Sequence, residues 1–168
     1  APNLLNPVAV KGGYVNLVWY PVSNAETYRL YRLPGDAGTP TSVVVDGIIS
    51  NGVADLPPAD GTYRYAVSAS RRGAESGLSQ VYTKFSDRTP PGTPSNVVVQ
   101  LQASGVQVTW QAPTEGEAPI RYNVYRNGTK IGSPYVPTPI NDYPPRGTSD
   151  YVVASADWLG NEAFSPSS

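Results

Sequence analysis

The sequence predicts an all-β chain made of two similar β-sandwiches in tandem. Three observations predict it. Short runs of β-branched and aromatic residues recur between breaks rich in Gly and Pro, with 18 Pro and 16 Gly among 168 residues. No stretch carries the 3.6-residue period of a helix. One pattern is also written twice, on either side of Asp87-Arg88-Thr89-Pro90-Pro91-Gly92-Thr93-Pro94. That segment is a seam, because its three prolines fix φ and remove backbone donors, so neither a helix nor a central strand runs through it. The expected domains are residues 1–88 and 89–168. Each holds about 80–90 residues, enough for one modest core. A short Pro-rich seam also predicts a semi-rigid, extended tandem.

In the first copy, Val8-Ala9-Val10 reads as a short edge strand stopped by Lys11-Gly12-Gly13. Tyr14 to Tyr20 is the clearest strand. Its period-2 alternation puts Val15, Leu17 and Trp19 on one face and Tyr14, Asn16, Val18 and Tyr20 on the other. Pro21 ends it. Tyr28 to Leu33 is the next strand, followed by a short one at Val43-Val44-Val45. A corner at Asp55-Leu56-Pro57-Pro58-Ala59-Asp60-Gly61-Thr62 leads into a long strand, Tyr63 to Ser70, with Tyr63, Tyr65, Val67 and Ala69 on one side. A hairpin loop at residues 71–77 and a last strand, Gln80 to Phe85, complete a seven-strand pattern of the sandwich type.

The second copy repeats this order with shorter loops. Val97 to Leu101 matches the edge strand, and Val106, Val108 and Trp110 are the inward set of the next one. Tyr122 and Val124 follow. Asn127-Gly128 is a hairpin turn, since both central positions of a type I′ turn want φ > 0. The corner returns as Asp142-Tyr143-Pro144-Pro145-Arg146-Gly147-Thr148, the long strand as Tyr151 to Ala156, and the hairpin loop as Asp157 to Glu162. Aligning Glu75 with Glu162 puts Ser168 opposite Val81. The last strand of this copy is therefore expected to be short or missing, leaving part of the edge of Tyr151 to Ala156 open; either the missing strand lies just beyond Ser168 in a longer natural chain, or another chain adds it.

At these residues the chain resembles the fibronectin type III family, in the form common as accessory modules of bacterial secreted and surface proteins. The carriers are Trp19 and Trp110, the runs Tyr28-Arg29-Leu30-Tyr31-Arg32 and Tyr122-Asn123-Val124-Tyr125-Arg126, the Pro-Pro corners, the Ala156-Asp157-x-x-Gly160-Asn161-Glu162 loop and the Asp-x-Thr-Pro-Pro seam. The resemblance covers both copies and implies two immunoglobulin-like sandwiches. It implies a secreted or cell-surface location, bacterial in kind, in which the partner is another protein or neighbouring domains of a longer polypeptide. The expected core anchors are Trp19, Trp110, Tyr65 and Tyr151. A buried Trp supplies a large apolar area, and a Tyr after the corner can hydrogen-bond back to the backbone; Tyr63 is the rival in copy one.

Composition excludes several functions. The formal net charge is -1 and neither half is strongly basic, so nucleic acid, which needs clustered Lys and Arg, is not an expected partner. No apolar run is long enough for a membrane-spanning helix. With no Cys, His or Met, there are no disulfides, no thiolate or imidazole metal sites and no mechanism that needs a His or Cys. No cofactor, metal or catalytic residue is expected. Glu115 with Glu117 and Asp55 with Asp60 could in principle act as acid–base pairs; loop charge in solvent is the plainer reading. Asp157, Asn161 and Glu162 could offer oxygens to Ca²⁺, but hydrogen bonding inside a tight hairpin accounts for them. Asn127-Gly128-Thr129 fits an N-glycosylation sequon and also fits a tight turn. Arg71-Arg72-Gly73-Ala74 stands where one well-known family member displays an integrin-binding Arg-Gly-Asp; Ala74 replaces the Asp, so integrin binding is rejected.

The candidate contact residues are aromatic. Trp158, in the hairpin loop, can stack on a sugar ring or anchor a protein, or else pack on its own module or the seam. Tyr14, Val18 and Tyr20 make the outward face of copy one more apolar than the matching face of copy two, which either marks a contact site or is covered by neighbouring strands or loops. Tyr31 and Tyr125 face outward on the other sheet, as contacts or simply as cross-strand pairing partners. The leading expectation is a non-catalytic structural or interaction module, a spacer or surface-assembly component. The alternative is a carbohydrate-binding accessory of a secreted polysaccharide-degrading enzyme, with a polysaccharide as its ligand.

Overall fold

A computed structural model describes all residues, Ala1 to Ser168. The chain divides into two compact units, Ala1–Thr89 and Pro90–Ser168. Each holds its own hydrophobic cluster.

Unit 1 contains β1 (Asn3–Leu4), β2 (Val8–Val10), β3 (Tyr14–Tyr20), β4 (Thr27–Pro34), β5 (Ser42–Ile48), β6 (Gly52–Asp55), β7 (Gly61–Arg71), β8 (Ala74–Glu75) and β9 (Tyr82–Ser86). In the first sheet β3 is central, pairing with β1, β2 and β6. In the second, β5, β4 and β7 lie side by side, and β7 pairs along its length with β8 and then β9. The alternation along β3 buries Val15, Leu17 and Trp19 and leaves Tyr14, Asn16, Val18 and Tyr20 outside. Trp19 is 1% exposed, and its ring meets Tyr28 at 5.2 Å between centroids. Three elements differ from the sequence expectation, the two-residue β8 within the expected hairpin loop being the least of them. β1 lies within the polar, Pro-punctuated start, and β6 supplies the edge partner of β3, its Asp55 opening what reads as a loop corner.

Unit 2 contains β10 (Ser95–Gln102), β11 (Gly105–Gln111), β12 (Arg121–Arg126), β13 (Thr129–Gly132), β14 (Ile140–Asp142), β15 (Tyr151–Ala156) and β16 (Glu162–Phe164). Its sheets are β10-β11-β14 and β13-β12-β15-β16. Trp110, 6% exposed, packs on Tyr122 at 5.7 Å, repeating the Trp19–Tyr28 contact. The indole N–H of each Trp points into the core without a protein acceptor. Asn127 and Gly128 both take positive φ, 46° and 76°, as a type I′ hairpin turn requires.

The expected open edge on β15 is corrected. Ala154–Ala156 pair with β16. Beyond it, the Ser165 N–H donates to the Val153 carbonyl, the Val153 N–H donates to Ser165 Oγ, and Ser168 exchanges both backbone hydrogen bonds with Tyr151 at 2.9 Å. The same hydroxyl device holds Ser79 to Val67 in unit 1. Matching Ser79 to Ser165 puts Ser168 at the level of Tyr82, which pairs with Tyr65. The one-residue error has a physical source. The loop before Glu162 is one residue longer than the loop before Glu75, and the segment after it is one residue shorter, so an alignment through the two glutamates drifts. With these backbone groups paired in the chain, neither a donated strand nor assembly through this edge is supported.

Candidate interaction surfaces

Two polar networks recur in the two units and settle where the ionisable residues sit. Arg32, at the end of the Tyr-x-Leu-Tyr-Arg run, donates from Nη1 to both Asp55 carboxylate oxygens at 2.8 Å, and the Tyr65 hydroxyl donates to Asp55 Oδ2 at 2.9 Å. In unit 2, Arg126 and Tyr151 hold Asp142 in the same way, at 2.8–2.9 Å and 2.7 Å. Burial pushes the Asp142 carboxyl up, but hydrogen bonds from Tyr151, Arg126 and the backbone outweigh it and hold it below the usual carboxylate range. Asp55 is therefore not a solvated loop charge; it is a buried member of a bonded triad. The backbone-bonding tyrosine of unit 1 is Tyr63, whose hydroxyl donates to the Ala59 carbonyl at 2.9 Å. Tyr65 and Tyr151 bond carboxylates instead. The sequence signal for these triads was present: Asp-x-Pro-Pro occurs at both corners and Arg closes both tyrosine runs.

The second network centres on Glu75. Its carboxylate accepts from Ser68, Tyr31 and Arg29, and these bonds, Ser68's first, hold its pKa down. Glu162 accepts from Asn123 Nδ2 and from the Tyr125 hydroxyl, each at 2.6 Å. Tyr31 and Tyr125 are thus half-buried members of sheet networks, and Tyr125 also packs on Phe164 at 5.8 Å. Asp60 accepts from the backbone N–H of Arg88, the Arg88 guanidinium and Thr89, with the Thr89 hydroxyl the main cause of its lowered pKa. It fastens the start of the seam to unit 1. Asp157 Oδ1 accepts from the backbone of Gly160 and Asn161, and its Oδ2 accepts from Asn161 Nδ2. Hairpin bonding thus occupies the carboxylate considered for Ca²⁺.

The remaining candidates lie open. Trp158 is 61% exposed at the tip of the β15–β16 hairpin. Tyr14, Val18 and Tyr20 are all exposed along β3, Tyr20 by 59%. Their cross-strand neighbours on the same outer face are Val10, Gly52 and Asn3, and Val8 and Ala54 flank Asn16. None of these carries a charge. A shallow groove of about 400 Å³ runs here beside Asn16, Val18, Gly52 and Ala54. The matching face of unit 2 is more polar, with Gln107 bonded to Asn141 and Asn96 to Gln111, although Val98 and Tyr143 are also exposed there.

These two sandwiches have the fold of tandem fibronectin type III domains. The FN1–FN3 domains of chicken CNTN1 match 99% of this chain and 66% of theirs, at 16% identity and a TM-score of 0.71. The fibronectin(III)-like modules of Clostridium thermocellum CbhA match 100% of this chain and 90% of theirs, at 17% identity and a TM-score of 0.58. In sequence, the chain is 29% identical over 109 residues to an alpha-amylase of Niallia circulans, covering 61% of this chain and only 8% of the amylase. No family model matches the sequence. No helix is long and apolar enough to cross a membrane.

Proposed function

We propose that the chain is a non-catalytic accessory unit of a longer secreted or cell-surface polypeptide, acting as a spacer that makes protein contacts through the outer face of β3. The observation that carries this reading is the uncharged row Tyr14, Val18 and Tyr20, open to solvent on a sheet face whose strand neighbours are also uncharged. An exposed apolar row of this kind marks a contact site. The acidic groups support the non-catalytic part, because Asp55, Asp142, Glu75 and Glu162 are engaged in networks that tie strands together. Likeness to the modules of a clostridial CbhA and to a small part of an amylase supports an accessory role. Oxidative footprinting tests the proposal. In the natural full-length polypeptide, Tyr14 and Tyr20 should be protected relative to this chain alone. Equal labelling in both would remove the contact face.

The second reading, a carbohydrate-binding accessory, draws on the exposure of Trp158. A flat indole at a loop tip can stack on a sugar ring.

A further inference from the structure

A second uncharged feature lies on unit 2. Beside the turn between β10 and β11, on the outer face of their sheet, a small pocket of about 220 Å³ is lined by Gln102, Ser104, Gly105, Gln107, Asn141 and Tyr143. Strand geometry gathers these residues. Val106 and Val108 are buried, so Gly105 and Gln107 face outward. The register sets Gln102 opposite Gly105 and Asn141 opposite Gln107. Tyr143, two residues beyond Asn141, returns to the same side. Gly105 makes room for its ring: a Cβ there would stand 2.9 Å from Tyr143 Cδ1 and 2.3 Å from the Asp142 carbonyl oxygen. The ring therefore lies over Gly105 and remains 68% exposed.

The polar groups are held but not used up. Gln107 Nε2 donates to Asn141 Oδ1 at 3.2 Å, which orients both amides. That bond leaves Gln107 Oε1 as an acceptor and Asn141 Nδ2 as a donor. Gln102 and Ser104 add an amide and a hydroxyl. No carboxylate, Lys or Arg lines the pocket; the neighbouring Asp142 carboxylate is occupied by Arg126 and Tyr151. An ionic ligand would find no counter-charge here, and a phosphate would need Lys or Arg. A hydroxyl both donates and accepts, as these amides do, and the C–H face of a sugar ring can cover an open aromatic ring while its hydroxyls meet the polar groups.

We propose that this pocket binds a neutral carbohydrate, with the Tyr143 ring as its platform and Gln102, Ser104, Gln107 and Asn141 as partners for its hydroxyls. The volume is below the roughly 300–1,000 Å³ usual for a drug-sized ligand, which fits one sugar ring at a chain end or branch. The proposal deepens the carbohydrate-binding reading but places the site away from Trp158.

Affinity electrophoresis of the whole chain in gels containing amylopectin, galactomannan or hydroxyethylcellulose tests it, with polygalacturonate as the anionic control. At least one neutral polymer should retard the chain and the anionic one should not. Tyr143→Ala and Asn141→Ala should each weaken retardation about tenfold or more, while Trp158→Ala leaves it unchanged. Amide shifts of the unmutated chain on adding the retarding polymer's oligosaccharide give a readout independent of mutant folding; they should cluster at residues 104–107 and 141–143. No retardation by any neutral polymer, retardation insensitive to Tyr143→Ala, or shifts clustered elsewhere would overturn the proposal. Retardation lost in Trp158→Ala but kept in Tyr143→Ala would sink this pocket and leave the loop-tip reading standing.

Discussion

Arg32 grips both carboxylate oxygens of Asp55 from a single guanidinium nitrogen, 2.8 Å from each. The contact joins β4 of one sheet to β6 of the other, and the Arg126–Asp142 pair makes the same join in unit 2. Both partners are largely withdrawn from water, at 17% and 7% side-chain exposure for Arg32 and Asp55. Removing one partner of such a pair leaves the other buried and uncompensated, which costs about 3–5 kcal/mol. Asp55→Ala should lower the unfolding free energy of unit 1 by that amount, and Asp142→Ala that of unit 2. Chemical denaturation followed by Trp fluorescence reads both. A loss below ~1 kcal/mol in either would mean that the pair is surface-like.

Unit 2 should be stable over a wide but bounded pH range. The Asp142 carboxyl is held down in the folded chain. Its contribution is present above the ordinary carboxylate value of about 4 and is lost as pH falls through the lower folded value. Burial, then the bond to Asp142, push the Tyr151 phenol up to about 12, and burial with the bond to Glu162 does the same for Tyr125. Those contributions are present below the ordinary Tyr value of about 10 and are lost as pH rises through about 12. Melting temperature against pH should therefore fall on both flanks. Tyr151→Phe should flatten the alkaline flank; an unchanged alkaline slope would contradict the assignment.

Trp19→Ala and Trp110→Ala should each cost ~3–5 kcal/mol, as large core deletions do. The two tryptophans belong to separate clusters, so each substitution should lower one calorimetric transition and leave the other in place. A single transition that moves as a whole would show that the units do not melt independently.

Gly92→Ala should loosen the seam where it enters unit 2. The Gly92 N–H donates to the Glu117 carbonyl at 2.9 Å, and an added Cβ would stand 1.9 Å from the Glu115 carbonyl oxygen. Backbone must shift to admit it, at a cost of about 1–3 kcal/mol. Hydrogen exchange at residue 92 should rise in the variant; unchanged protection would mean that the loop moves freely.

Sequence made the fold legible because strand alternation and Trp burial are local rules written twice. Trp19 and Trp110 could be placed from period 2 alone. What stayed hidden depends on pairing across the sandwich. Asp55 looks like loop charge until β6 docks on β3 and brings it to Arg32. The Tyr31 and Tyr125 hydroxyls look free until the hairpin returns Glu75 and Glu162 to them. Tyr143 sits in a Pro-rich corner, and only the β11–β14 register shows that Gly105 makes a seat for its ring. The drift at the C-terminal strand came from two compensating one-residue length changes, which no local pattern signals.

The non-catalytic reading is tested most directly by incubating the whole chain with amylopectin, galactomannan and hydroxyethylcellulose and measuring reducing ends between about pH 4 and 9, where carboxylate acid–base pairs work. A non-catalytic unit releases no reducing ends above buffer at any protein concentration. Release that scales with the chain and disappears on Glu115→Gln with Glu117→Gln, or on Asp60→Asn, would contradict it.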